Sequence, residues 1–234
     1  MSGELVLIVF QVVILIMAVV IHEVSHGWMA YQLGDPTAKY ADRLSLNPIK
    51  HFDLWGSFIV PFLMVLTKMP ILFGWAKPVP YNPYNLRDQK RGPFLVALAG
   101  PLSNILVAII FGLGARFISL SYSVKEKISI ASVYGNHLDL LSLLSGSFSA
   151  IFFWVFVSIM IVNIFLGVFN LIPIPPLDGS KLLLSFIPMG EQKKLALEQF
   201  GFMFLLMFIF LFSAQLGYLL IFVLSLFFKY VVGL

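Results

Sequence analysis

The chain of 234 residues contains no cysteine. Thiol catalysis, thiolate metal sites and disulfides are therefore excluded, and any metal must be held by His, Asp or Glu. Charge is scarce as well: Asp, Glu, Lys and Arg make up only 11% of the residues against 60% hydrophobic ones, and mean hydropathy is +0.97. Soluble domains do not reach such values, so the sequence implies a polytopic membrane protein. A basic start is also missing. MSGELVLIVF leads directly into an apolar run longer than the core of a secretion signal, which predicts a retained first helix. Repeats, low-complexity tracts and room for an appended globular domain are all lacking. Residues 1–234 are expected to form one membrane domain, with a core at 5–182 and a C-terminal membrane helix or helical hairpin at 198–234. The net charge of +4 and pI near 9.3 do not mark a nucleic-acid partner, because the cations gather in loops between apolar runs, as topology signals do.

The expected fold class is an all-α polytopic membrane protein of about five to six membrane helices. Apolar runs at about 5–33, 93–120 and 148–171 are each long enough to cross a hydrocarbon core about 30 Å thick at 1.5 Å per residue. The apolar tail at 200–234 has length for two short spans if it turns near Ser213–Gly217. The segment after Trp55 is broken by Pro61, Lys68, Pro70 and Gly74, and loop charge decides its path. If it dips in and returns, the loops carrying Lys39, Arg43, Lys50, Lys77, Arg87, Lys90, Arg91, Lys181, Lys193 and Lys194 share one face, which collects ten of the fifteen cations. The expectation is a re-entrant, partly β segment between the first two core helices, with the N-terminus outside and residues 22–26 near the cytoplasmic end.

Those five residues read HEVSH. On a helix His22 and His26 share a face with Glu23 beside them, and a His-Glu-x-x-His pattern binds Zn²⁺ through both imidazoles while the carboxylate works on the metal's water. Within a membrane a charged group costs about 2.5–3.5 kcal/mol or more, so three ionisable residues in five positions need a reason, and a bound dication supplies one. A catalytic zinc takes three protein ligands, so one more is required. His137 falls in the outside loop, and His51 in a polar loop, where a solvated or capping role is expected. Asp178, in NLIPIPPLDGSKLL, lies at the membrane depth of His22 and His26; Pro173, Pro175 and Pro176 forbid ordinary helix there, and Gly179 is expected to permit the turn that brings the carboxylate inward. Asn104 and Asn170 share that depth. Each either bonds helix to helix or holds a substrate backbone or the oxyanion of an attacked carbonyl, whereas Asn163, deeper in its helix, is expected only to pack.

With His22–His26, Gly100-Pro101-Leu102-Ser103-Asn104 and Asn170 through Leu177-Asp178-Gly179 in this order, the chain resembles the site-2 proteases, intramembrane zinc metalloproteases, over about residues 20 to 182. RLSLNPIKHFDLWGS and FGWAKPVPYNPYNLR are similar to the intervening segments of compact bacterial and archaeal members without a PDZ or CBS domain. The resemblance implies one zinc per chain, held by His22, His26 and Asp178, with Glu23 as catalytic carboxylate and Asn104 and Asn170 as substrate-contacting amides. It also implies transmembrane protein substrates, a prokaryotic multi-pass location and an active site near the cytoplasmic side. The alternative is a membrane metal transporter or a zinc-dependent scaffold. A transporter calls for ionisable residues along a path through the bilayer, where this sequence has one cluster near one face.

Overall fold

The computed structural model describes residues 2–53, 59, 77–186 and 191–234, and no strand occurs among them. In chain order the helices are α1 (Ser2–Gln32), α2 (Thr37–Tyr40), α3 (Gly92–Phe117), α4 (Tyr122–Tyr134), α5 (His137–Leu144), α6 (Phe148–Asn170), α7 (Asp178–Leu184) and α8 (Glu191–Phe227), the last continued by a π turn at Phe228–Val232. Four of them are long and apolar enough to cross a membrane: α1, α3, α6 and the Gln199–Val232 part of the C-terminal helix. Five to six were expected. One difference lies in the tail, which does not fold back at 213–217 but runs on, kinked only at Phe212 (φ −118°, ψ 20°). Ser213-Ala214-Gln215-Leu216-Gly217 contains no proline, so nothing removes a backbone donor, and Gly217 stays helical. The expected re-entrant β segment falls mostly on residues 54–76, outside the described residues except for position 59.

α3 sits between α1 and α6. Its buried positions include Ala97, Gly100, Pro101, Asn104, Ala108, Gly112 and Ala115, a stripe of small residues at helical spacing that lets neighbouring backbones approach. Such contact is what holds helices together where lipid is as apolar as leucine. At Gly112 a β-carbon would lie 2.9 Å from both Met160 Sδ and Val231 Cγ1, so α6 and the C-terminal turn close on this face. The stretch around His137, expected to be an outside loop, is instead two helices. Gly135, in the left-handed region at φ +68°, ends α4, and Asn136 accepts from the Asp139 N–H to start α5. Ile128, Ala131, Leu140 and Leu144 then join Phe153, Trp154 and Val157 in the main core at that end of the bundle.

The opposite end is built from loops. α1 stops at Gly34, whose φ of +108° is open to glycine but strained for other residues. The next residue, Asp35, is fully buried and accepts from Thr37 N–H and hydroxyl, Asn82 N–H (2.6 Å) and the Asn85 side-chain amide (2.9 Å). Burial opposes its charge, but these four donors hold the carboxyl below the usual carboxylate range. Asp35 thus ties the extended segment after Lys77 to the end of α1, directly beside the residues that carry the site.

Candidate metal centre

Ala18, His22 and His26 form one stripe of α1; Val96, Gly100 and Asn104 form the facing stripe of α3, running antiparallel to it. His26 Nδ1 is 2.6 Å from Val96 O, His22 Nδ1 is 2.6 Å from Asn104 Oδ1, and Asn104 Nδ2 donates to Ala18 O at 3.2 Å. Spacing of four on both helices puts backbone carbonyl, bare glycine and amide in register with the two rings. After α6 ends, Pro173, Pro175 and Pro176 keep the chain out of helix, and Leu177 leads into α7, whose first residue is Asp178. Gly179 serves differently from expectation. Its φ is not positive; a β-carbon there would instead collide with the carbonyl oxygens of Leu171 and Ile172, so its bareness lets α7 dock on the end of α6.

Asp178 Oδ2 lies 3.0 Å from His22 Nε2 and 3.0 Å from His26 Nε2, and the two Nε2 atoms are 3.1 Å apart. Each Nδ1 faces an oxygen that can only accept, so each ring carries its proton on Nδ1 and turns a bare Nε2 lone pair inward. Three lone pairs converging on one point with no proton between them repel unless a cation sits there. Tetrahedral ligands about 2.0–2.1 Å from Zn²⁺ stand about 3.3 Å from one another, close to this triangle. Neutral nitrogen donors with one carboxylate oxygen also suit zinc by chemistry. Lys181 Nζ donates to Asp178 Oδ1 at 3.1 Å, an ammonium contact that supports the carboxylate's charge. Glu23 is half-buried beside this cluster, its Oε2 accepting from the Val79 N–H at 2.9 Å. Among the described residues, His22, His26 and Asp178 are the one group of three that fits a metal in this way.

A family model for peptidase family M50 matches residues 10–214. The chain belongs to this family, the site-2 proteases. It is 32% identical over 209 residues to YwhC of Bacillus subtilis (strain 168), covering 89% of this chain and 82% of that protein. It is 26% identical over 190 residues to Rip2 of Mycolicibacterium smegmatis (strain ATCC 700084 / mc(2)155), covering 80% of this chain and 61% of the relative. Both are named as zinc metalloproteases. No solved structure matches the chain. With zinc as the family's cofactor and four long apolar helices, this M50 protein is a site-2-type zinc metalloprotease of multi-pass membrane architecture.

Within the M50 site the remaining candidates separate. Asn104 is fully buried with its whole amide engaged: Oδ1 on His22, and Nδ2 on Ala18 O and on Asn163 Oδ1 at 2.8 Å. Asn170 turns one amide hydrogen to Leu166 O of its own helix. His51 is buried rather than solvated, Nε2 donating to Ser45 O at 2.8 Å, while its own carbonyl accepts from Lys77 N–H. His137 opens α5 at the other end of the bundle. The backbone groups of Val96 and Val79 carry no side-chain signature, so no motif reading finds them. Asn163 did carry one: it precedes Asn170 by seven residues, two helical turns, which puts both on one face of α6.

Gly100 is where the α3 stripe admits the two rings. A β-carbon there would lie 2.7 Å from His22 Cε1 and nearer still to the His26 ring. Since both rings are held at Nδ1, they can yield only by breaking those bonds. Gly100→Ala is expected to weaken zinc binding by about 10-fold or more, read by chelator competition. Gly217→Ala, where a β-carbon meets nothing within 4 Å, is the control and should leave affinity unchanged.

Proposed function

We propose that this protein is an intramembrane endopeptidase that hydrolyses peptide bonds in or near the membrane spans of other proteins. The observation that carries the reading is the meeting of His22, His26 and Asp178 at one point beside Glu23, with both histidines and the glutamate on a helix long enough to cross lipid. His22 Nε2, His26 Nε2 and Asp178 Oδ2 are the zinc ligands. When bound, zinc acidifies a water toward a pKa of about 7 and polarises a carbonyl. Glu23 takes the proton from the attacking water and delivers it to the leaving amine. The Val79 N–H engages Oε2, which fixes the carboxylate and leaves Oε1 as the base. Asn170, with one amide hydrogen unspent on protein acceptors among the described residues, is assigned to the substrate carbonyl.

The proposed location is a prokaryotic cell membrane with the site near its cytoplasmic side, a reading supported by the cations in the loops at the end that Asp35, Asn82 and Asn85 tie together. Water then has a short path to the reacting bond. Helical substrates hide their carbonyls in hydrogen bonds, so the scissile segment must unwind before it is cut.

The test is cleavage of a single-span protein co-reconstituted with the purified enzyme in liposomes, the cut being mapped by mass spectrometry. Cuts within or next to the span are expected, lost on chelation and restored by zinc. Cleavage indifferent to chelation, or confined to soluble peptides, would overturn the proposal. A zinc flux across the vesicle wall without cleavage would favour transport instead.

A further inference from the structure

The amides of α3 and α6 form a chain with one direction. Asn163 Nδ2 donates to Ile159 O in its own helix at 2.9 Å, Asn163 Oδ1 accepts from Asn104 Nδ2 at 2.8 Å, and Asn104 Oδ1 faces His22 Nδ1 at 2.6 Å. Asn104 is 0% and Asn163 1% exposed, so no water competes for these groups. Their orientation is not free. Ile159 O and Ala18 O can only accept, so both amide nitrogens must face them, and both amide oxygens must then point along the chain toward His22.

We propose that Asn163 is a positioning residue for the metal centre: by locking the Asn104 amide it fixes the tautomer of His22, so that the Nε2 lone pair is the one presented to zinc. If the Asn104 amide rotated by half a turn, its nitrogen would face His22 Nδ1. The imidazole would then have to accept there and carry its proton on Nε2, where a metal cannot bind. Such a rotation would also set Asn104 Oδ1 against Ala18 O and Asn163 Oδ1, three oxygens without a hydrogen. The penalty falls on buried groups in a membrane-embedded bundle, where unsatisfied polar atoms find no relief. His26 needs no such device, because its Nδ1 meets the carbonyl of Val96, which cannot change role.

The proposal rests on His22 being a zinc ligand, and the test separates the two. Asn163→Ser removes the acceptor that Asn104 needs, yet serine satisfies itself on the carbonyl four residues back, so the helix stays intact. Asn163→Thr repeats the change with a bulkier side chain. Asn163→Asp in its protonated form keeps both partners, an O–H for Ile159 and an oxygen for Asn104. Zinc affinity is measured by chelator competition, ligand geometry by the visible spectrum of the cobalt-substituted protein, and stability by melting of the metal-free protein. Ser and Thr are expected to weaken zinc by about 10-fold, within the range for lost outer-shell partners, and to shift the cobalt bands; Asp is expected to restore both. Unchanged affinity and bands in Ser or Thr, a fall in metal-free melting alone, or an Asp variant as weak as Ser would each overturn the relay. Wild-type protein that binds no zinc would overturn the ligand assignment and the relay with it.

Discussion

Glu23→Gln is expected to leave zinc in place and to lower cleavage by about 10²–10⁴-fold, the usual worth of a positioned general base. The exchange is nearly isosteric. Glutamine still offers an oxygen to the Val79 N–H, which lies 2.9 Å from Oε2, so the extended segment after Lys77 keeps its contact with α1. His22, His26 and Asp178 are untouched, and the charge lost is not one of the ligands. What disappears is the ability to hold a proton between attack and departure of the amine. At 1.36 kcal/mol per tenfold, the loss corresponds to about 3–5 kcal/mol of transition-state stabilisation. Metal content by elemental analysis and turnover of a transmembrane substrate read the two halves. A variant that keeps zinc and keeps cleaving would remove Glu23 from the mechanism and leave it as an anchor for Val79. Glu23→Ala cannot decide this, since it removes base and anchor together.

The parts of this site differ in how far the sequence discloses them, and the difference follows from where each atom resides. HEVSH is visible because ionisable side chains are out of place in an apolar run, and α1 is observed at Ser2–Gln32 against an expected 5–33. LDG is visible because prolines end α6 at the required depth. Val96 O, which fixes His26, and Val79 N–H, which fixes Glu23, are backbone groups that any residue type would supply, so sequence cannot mark them. Gly100 and Gly179 were readable as glycines but not as to purpose. Both are bare because something passes close, imidazoles in one case and carbonyl oxygens in the other. The stretch holding SYSVKEK and YGNHLD reads as polar, yet its apolar residues fall at helical spacing and α4 and α5 bury them on α6. Local polarity outweighed periodicity in the expectation, whereas tertiary burial decides the structure.

Asp178 supplies the only negative charge among the three inward-facing donors, and its loss is expected to have the largest effect on the metal. Removing one partner of a buried charge pair costs about 3–5 kcal/mol, which is roughly 10²–10⁴-fold in affinity at 1.4 kcal/mol per tenfold. Asp178→Asn keeps the shape and one oxygen near both Nε2 atoms, so any fall in zinc binding reports the charge rather than a hole. Lys181 sharpens the expectation. Its Nζ lies 3.1 Å from Asp178 Oδ1, so neutralising Asp178 leaves an ammonium near the dication with no negative charge beside it. Asp178→Asn combined with Lys181→Met should therefore bind zinc more tightly than Asp178→Asn alone, while Lys181→Met by itself changes affinity little, because the Asp178 carboxylate already offsets the ammonium it contacts. Chelator competition on the four proteins closes a double-mutant cycle whose coupling term is the Lys181 repulsion. Zinc held by Asp178→Asn at wild-type affinity would exclude Asp178 as a ligand. His22 and His26 would then need a third ligand other than Asp178, and residues 54–76 contain no His, Asp or Glu to supply it.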